Sequence, residues 1–368
     1  MRKALAAALV VIAVASASLT PVASAPSSSL QAVDTGVVAQ FPSSLRFTML
    51  AESPYPVTDV RLLYRIDKMN YAQVTSEAWA SFEPSTSVSA DWTWDMRRAS
   101  LPPGAGITYW WKVRDSSGAV VETPTSMIRF DDNRHEWRQL DSADVSLHWY
   151  YGDDEFANEL LAVCDQAIET LAVDIGARVD RRIIVYLYQS AADLRQAMVY
   201  PQEWTGGVAF TDYGIVAIGL GPGDMEWGIR ALRHELTHLV VHTLTFGPYG
   251  ELPTWLDEGL AMRSEGEPAS TFVAVLRQAV LDDALISLRT LGGPFSSDTQ
   301  KAYLSYAQSH SVVNYLLETY GSQSMNELLT LLTNGETVDS ALQQSYGRDL
   351  ARVESDWKTW VREQVNNA

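Results

Sequence analysis

The hydrophobic pattern changes character near residue 132, and this change constrains the fold more than any other feature. From Gly36 to about Asp132, short β-branched and aromatic segments, often alternating with polar residues, are separated by Gly, Pro and Ser. This pattern is typical of an antiparallel sandwich of the immunoglobulin or fibronectin type III kind. After residue 145, helical periodicity dominates, as in 154–173. The sequence therefore predicts a multidomain protein, with an all-β sandwich over 36–132 and an α+β, mostly helical domain over 145–363.

The amino terminus has the composition of a secretory signal peptide. Residues 1–25 have a basic start, an apolar stretch from Ala4 to about Leu19, and a small-residue ending at Ala25. We expect cleavage after Ala25 and a secreted or extracytoplasmic protein, with an uncleaved membrane anchor as the alternative. Residues 26–35 are Ser-rich and are interpreted as a linker. No later segment approaches 18 uninterrupted apolar residues.

Charge and cysteine content exclude several classes of function. The chain has 27 Lys and Arg against 45 Asp and Glu, a formal charge of −18, which argues against nucleic acid or anionic membranes as partners. Cys164 is the single cysteine, so no internal disulfide is expected. Its apolar surroundings predict a small buried side chain.

The stretch "ALRHELTHLVVH" contains a candidate metal site. His234 and His238 are four residues apart, so a helix brings both imidazoles to one face, with Glu235 beside them. His242 lies eight residues from His234, which is about 12 Å along a helix and too far for the same ion. We therefore interpret His242 as a core or supporting residue.

Glu258 is the candidate third ligand. It lies 20 residues after His238 (258 − 238), in a second predicted helix that opens after Pro253. Its neighbours are apolar, and a buried carboxylate needs a partner, which a metal could be. A His₂Glu set leaves one coordination position for water. The alternative is a solvated glutamate on the helix surface.

Taken together, HELTH and the later "WLDEGLA" resemble the gluzincin metallopeptidases, the clan of thermolysin, and in particular the peptidase-MA-like family. The resemblance spans roughly residues 145–362. It implies that His234, His238 and Glu258 bind one Zn²⁺ per chain. It also implies that Glu235 is the general base of peptide-bond hydrolysis through a metal-activated water.

The same resemblance assigns a substrate-binding strand. The segment "GGVAF" occupies the place of the gluzincin edge strand, which pairs with an extended substrate backbone. The implied contact residues are Gly206, Gly207, Val208 and Ala209. Related aminopeptidases have a glutamate in this strand that holds the free amine of the substrate. None is present here, which puts aminopeptidase specificity in doubt.

An electrophile for the tetrahedral oxyanion is also expected. Tyr306 aligns with a Tyr-Ala-Gln-Ser segment of the family and is the first candidate; His310, four residues further on, is the second. The alternative is that both side chains only pack or form local hydrogen bonds. Asp257 is of a type that can orient a ligand histidine, but its position next to Glu258 predicts that it points elsewhere.

The leading interpretation is a secreted zinc peptidase with a peptide or protein substrate. The alternative is a catalytically silent zinc-binding or adhesin-like protein, in which the sandwich binds a cell-surface partner or glycan. Four tryptophans offer a carbohydrate platform, although the sandwich core is the favoured interpretation: Trp92, Trp94, Trp110 and Trp111.

Overall fold

A computed structural model describes residues 29–201, 206–249 and 252–367. The predicted signal peptide, 1–25, lies outside the described residues, as do residues 26–28 of the predicted linker. The described chain forms a β-rich region followed by a mainly helical region that contains its own sheet.

Seven strands build the amino-terminal region: β1 (Gln31–Gln40), β2 (Ser44–Asp67), β3 (Ser76–Trp79), β4 (Ser85–Asp95), β5 (Ala105–Asp115), β6 (Val120–Glu122) and β7 (Ser126–Phe130). The long strand β2 organises them. Its first half pairs with β1 and β4, and its second half pairs with β3 and β5. The register shifts between Glu52 and Val57, where β2 passes from one set of partners to the other. Alternate residues of both halves, such as Phe47 and Leu62, lie in one buried core.

Strand β1 corrects the predicted linker. Residues 31–34 are paired with β2, beginning with Gln31 opposite Glu52, and Thr35 lies at a register shift within the same strand, so these residues belong to the sheet. Most side chains of β1 are exposed or half-buried. A strand at the border of a sheet needs little apolar sequence, so its composition resembles that of a linker.

A second, five-stranded sheet lies in the carboxy-terminal region, with the order β11-β12-β10-β9-β8. Its strands are β8 (Arg138–Asp141), β9 (Val145–Trp149), β10 (Ile183–Tyr188), β11 (Gly207–Phe210) and β12 (Ile215–Gly219). The three central strands are parallel, and β8 and β11 are antiparallel to their neighbours. β11 therefore lies at one border of this sheet.

The helices are α1 (Asp154–Ile175), α2 (Ala191–Gln196), α3 (Met225–Thr245), α4 (Thr254–Ser264), α5 (Ser270–Leu281), α6 (Leu288–Leu291), α7 (Thr299–Thr333), α8 (Val338–Tyr346) and α9 (Leu350–Asn367). Three glycines interrupt or end helices. Gly321 interrupts α7 with non-helical backbone angles, Gly335 follows its last turn, and Gly347 caps α8 in the left-handed conformation. Within the described part of the chain, no helix has the length and apolar character needed to cross a membrane.

The second sheet forms the boundary of the carboxy-terminal region with the β-rich region. One face, with Val185 and Val216, packs into the helical core. The opposite face presents Tyr186 and Tyr188 to the core of the β-rich region. Across this boundary Arg129 donates a hydrogen bond to the Tyr186 hydroxyl at 2.8 Å. The contact between the regions is thus a continuous packed layer.

The four tryptophans and Cys164 differ in how deeply they are buried. Trp94 and Trp111 are buried in the β-rich region, which confirms the core interpretation for these two. Trp92 is half-buried and packs against this core. Trp110 faces outward and lies beneath the guanidinium of Arg65, 5.1 Å from ring centroid to Cζ. Cys164 is fully buried on α1, where burial raises the pKa of its thiol.

Candidate metal centre and active site

Helix α3 presents the first two site histidines. Its apolar face, including Leu236, Leu239 and Val240, is buried in the helical core. His234 and His238 lie on the adjoining face, and their ring centroids are 4.8 Å apart. The i, i+4 spacing therefore produces the expected pair of imidazoles.

Helix α4 positions Glu258 against this pair. Trp255 and Leu256 are buried and anchor the helix in the core. Gly259 allows close packing on α7, because a Cβ at this position would lie 2.5 Å from the carbonyl oxygen of Ser309. Glu258 is thereby held on the side of α4 that faces the two histidines.

Three donor atoms converge at this point. The Nε2 atoms of His234 and His238 lie 3.4 and 3.6 Å from Oε2 of Glu258. One ligand atom from each residue falls within 4.8 Å of the others. Oε2 of Glu258 is buried and has no hydrogen-bond partner. A buried, unpartnered carboxylate oxygen beside two imidazole nitrogens fits a divalent metal ion.

Two further carboxylates hold the other nitrogens of the histidines. Glu265 Oε1 lies 2.8 Å from Nδ1 of His234, and Asp257 Oδ2 lies 3.0 Å from Nδ1 of His238. The expectation that Asp257 points elsewhere is therefore wrong. Glu265 was not predicted, although its spacing of seven residues from Glu258 (265 − 258) places both on one helical face. These contacts leave both Nε2 atoms free to face Glu258.

The electrostatics match a site that accepts a cation. Burial disfavours the charged form of His234, but the adjacent carboxylates of Glu258 and Glu265 outweigh it and raise its pKa to about 10. Burial likewise opposes protonation of His238, and Asp257 raises its pKa. The acidic surroundings thus favour positive charge at this point, and a bound metal ion would replace the protons.

Glu235 lies between the histidines and strand β11. Burial raises the pKa of its carboxyl group, and the charges of His234 and His238 oppose this shift. The backbone amide of Ala209 donates a hydrogen bond to the Glu235 carboxylate. A Cβ at Gly207 would lie 3.1 Å from Glu235 Cγ, so a glycine keeps space for this side chain.

Of the four predicted substrate-contact residues, Gly207 and Ala209 lie beside this carboxylate, whereas Gly206 lies against Trp227 and Val208 packs against the core of the β-rich region. Gly207, Val208 and Ala209 belong to β11, at the border of the sheet. Gly206 precedes the strand and accepts a hydrogen bond from the Gly219 amide at 2.8 Å. The border of β11 away from β12 is the one on which an extended chain would pair.

Tyr306 lies near the three donor atoms. Burial raises the pKa of its phenol, and the charges of Glu258 and Glu235 raise it further. Its ring packs edge-on against Phe295, with centroids 5.1 Å apart. The structure thus places a protonated hydroxyl group close to the site.

His310 faces a different environment. Its Nε2 atom lies 3.2 Å from Nδ2 of Asn314, and burial together with Arg263 lowers its pKa. It lines two cavities that contain none of the residues of the donor group. The structure therefore does not bring His310 to the metal centre as it does Tyr306.

His242 is not part of the donor group formed by the described residues. Its Nε2 atom lies 3.2 Å from Oδ1 of Asp212, and 29% of its side chain is exposed. It lines a cleft together with His238. His242 is therefore a surface residue of this cleft, neither a core residue nor a partner of the three ligands.

Comparison with known sequences identifies the family. Residues 163–363 match the Peptidase MA superfamily, and this range covers more than half of the chain. The chain belongs to the peptidase MA superfamily. The match confirms the resemblance drawn from HELTH and "WLDEGLA" and supports a peptidase, a hydrolase, as its general class. No curated protein matches the chain.

Solved structures show weaker similarities. A two-domain M1 zinc metallopeptidase variant bound to L-arginine is 12% identical, with a TM-score of 0.37, over 91% of this chain and 94% of its own. An aminopeptidase N family protein from Idiomarina loihiensis is 9% identical, with a TM-score of 0.33, over 88% and 68%. A family 56 carbohydrate-binding module that binds β-1,3-glucan is 15% identical, with a TM-score of 0.18, over 27% and 99%. At such low TM-scores, these similarities do not bear on what the chain does.

Proposed function

We propose that the protein is a zinc-dependent peptidase, with His234, His238 and Glu258 as ligands of one Zn²⁺ and Glu235 as the general base. The observation that carries this proposal is the convergence of two imidazole nitrogens on the unpartnered carboxylate oxygen of Glu258. Two nitrogen donors and one oxygen donor are a common set for catalytic zinc. Membership of the peptidase MA superfamily supports the same choice.

Zinc in this position would lower the pKa of a water molecule and polarise the scissile carbonyl group. The buried Glu235 carboxylate would take the proton from the attacking water and deliver it to the leaving amine.

The other residues of the site would position the substrate and stabilise charge. The free border of β11, with Gly207 and Ala209, would pair with an extended peptide backbone beside Glu235. The Tyr306 hydroxyl, kept protonated by its raised pKa, would donate a hydrogen bond to the oxyanion. Strand β11 contains no carboxylate for a free amino terminus, which argues against aminopeptidase specificity.

We also propose that the β-rich region is a sandwich of the immunoglobulin or fibronectin type III kind. Two observations support this proposal: β2 divides its partners between β1 with β4 and β3 with β5, and alternate residues of both halves share one core. Superposition of an experimental structure of residues 29–132 on fibronectin domains would test it. Strand pairs arranged in one open layer would exclude it.

The composition of residues 1–25 supports the proposal that the protein is secreted. Amino-terminal sequencing of the protein recovered from a producing cell would test this. Secretion with cleavage predicts a mature chain that starts at Pro26. An intact leader on a membrane-bound chain would favour the anchor instead.

Digestion of a peptide mixture by the mature chain tests the peptidase proposal. We expect cleavage with one equivalent of zinc, loss of cleavage after removal of zinc by a chelator, and recovery when zinc is returned. A folded, zinc-loaded protein that cuts no peptide would exclude a general peptidase. Cleavage that persists without metal would exclude zinc as the catalytic ion.

A further inference from the structure

A cleft of about 930 Å³ lies between the β-rich region and helix α3. Its volume lies in the range of ligand-binding clefts, about 300–1,000 Å³. It is lined by residues of both regions, and His238 and Asp257 form part of its wall. The cleft therefore adjoins the candidate metal centre on the side of His238 and Asp257. Its apolar lining includes Met69, Tyr71, Val74, Val241, Phe246 and Leu252.

The loop between β2 and β3 supplies one wall and is attached to the helical region. The Met69 amide donates a hydrogen bond to the Asp212 carbonyl at 2.7 Å. The Tyr71 hydroxyl donates to the Gly247 carbonyl, and its ring stacks on Phe246 with centroids 4.5 Å apart. This wall is thus held in place by contacts at several points.

Tyr71 and Val74 remain accessible despite this attachment. Each is 63% exposed, which leaves apolar surface open to the cleft or its rim. Contiguous exposed apolar surface beside a functional site can serve as a surface for ligand contact. Tyr71 and Val74 both lie in the loop that forms this wall of the cleft.

The charged groups of the cleft are largely engaged with each other. Asp212 lies 3.2 Å from the Lys68 ammonium and 3.2 Å from Nε2 of His242. Asp257 is paired with His238. Because both carboxylates already have partners, an apolar substrate side chain would contact the exposed surface of Tyr71 and Val74 rather than a free charge.

The direction of β11 indicates which part of an extended substrate would lie in the cleft. The strand runs from Gly207 to Phe210, and the chain then continues to Asp212 at the floor of the cleft. A substrate that pairs antiparallel with β11 would run in the opposite direction, from the cleft toward Gly207. Its residues in the cleft would therefore precede the cleaved bond.

We propose that this cleft is a specificity subsite for a large apolar side chain on the amino-terminal side of the cleaved bond, with Tyr71 as a specificity-determining residue. This inference rests on the proposed peptidase function. It assigns to the β-rich region a direct part in substrate selection, through the loop that carries Tyr71.

A peptide library digested by the full mature chain tests the subsite. Mass spectrometry would record the residue preference on each side of the cut for the wild type, Tyr71→Ala and Tyr71→Phe. Tyr55→Ala is the matched control, because Tyr55 is 54% exposed on β2 and is not among the lining residues. We expect the wild type to favour Phe, Leu or Met over Ala by at least about tenfold at one position before the bond.

In Tyr71→Ala this preference is expected to fall by about tenfold, while preferences after the bond stay unchanged. Tyr71→Phe and Tyr55→Ala are expected to retain the wild-type profile. An unchanged profile in Tyr71→Ala, or a change confined to positions after the bond, would overturn the subsite while leaving the peptidase function intact. A wild type that cuts nothing would remove the proposed function, and the subsite with it.

Binding provides a readout that does not require turnover. In Glu235→Gln, the dissociation constant of a peptide with Phe at the preferred position would be compared with that of its Ala counterpart. Addition of Tyr71→Ala is expected to remove most of the difference in affinity. A difference that survives this substitution would contradict the role of Tyr71.

Discussion

Oε1 of Glu265 lies 2.8 Å from Nδ1 of His234, the ring nitrogen opposite the one that faces Glu258. Glu265 itself lies 3.5 Å from the Arg230 guanidinium. The contact holds the imidazole in the tautomer and orientation that leave Nε2 available. Glu265 is therefore a positioning residue for a candidate metal ligand.

Glu265→Ala is predicted to weaken zinc binding by about 10- to 100-fold, because His234 would lose the partner that orients it. Competition with a chromophoric chelator would measure the affinity. Glu267→Ala, which changes an exposed glutamate two residues away, is the matched control and should have the affinity of the wild type. Equal affinities for Glu265→Ala and Glu267→Ala would refute the positioning role.

Removal of zinc is predicted to destabilise the folded protein, because the ligands converge only in the folded state. At a free zinc concentration about 100 times the dissociation constant, binding contributes about 2.7 kcal/mol. Thermal unfolding with and without zinc would show a higher midpoint for the loaded protein. Glu258→Ala should lose most of this shift, and Glu318→Ala, an exposed site on α7, should retain it. A zinc-dependent shift that is undiminished in Glu258→Ala would exclude Glu258 as a ligand.

Tyr306→Phe is predicted to lower kcat by about 10²- to 10³-fold with little change in KM, because the lost hydroxyl would act on the transition state. Zinc content should not change. His310→Gln should have a much smaller effect, since His310 hydrogen-bonds to Asn314 away from the donor group. The opposite pattern, with His310 essential and Tyr306 dispensable, would transfer the role to His310.

The buried side chain of His148 is expected to make the stability of the fold depend on pH, independently of the metal centre. Burial lowers its pKa from 6.5 to about 4, with the Arg129 charge acting in the same direction and Asp131 and Asp141 opposing it. Between these pH values the unfolded chain binds a proton that the folded chain does not bind. The contribution of His148 to the free energy of unfolding is therefore fully present above pH 6.5. As the pH decreases toward 4, about 2–3 kcal/mol of this contribution is lost.

Urea unfolding of the wild type and His148→Gln at pH 7 and pH 4.5 would measure this effect. The variant should lose less stability over the interval. Other titrating groups, including the metal-site histidines, are common to both proteins and cancel in the comparison. Parallel losses in the two proteins would show that His148 does not contribute.

Local spacing made much of the candidate site predictable. The i, i+4 relation of His234 and His238 depends only on helix geometry, and the apolar neighbours of Glu258 indicated a buried helix. The direction of the Asp257 side chain and the role of Glu265 depend on how α4 packs against α3. Sequence periodicity alone does not determine that packing. The wall formed by the Tyr71 loop could not be predicted from the sequence either, because it arises from contact between two regions that are far apart in the chain.

Sequence patterns do not mark β1, β8 and β9 as strands, and the burial of each strand explains why. β1 is mostly exposed or half-buried and has a polar composition, so it resembles a linker. β8 is short and mostly exposed, whereas all five residues of β9 are buried, including the polar Ser146 and His148. Neither strand alternates as an isolated amphipathic strand would, since their pairing is determined by the rest of the sheet.

The most direct test of the account is peptide cleavage by the wild type and by Glu235→Gln at equal zinc content. The substitution keeps the size of the side chain and the metal ligands but removes the base. The variant is expected to bind one zinc per chain, as the wild type does, and to cleave peptides at least about 10²-fold more slowly. Cleavage by Glu235→Gln at the wild-type rate, with zinc fully bound, would contradict the assignment of Glu235 as the general base.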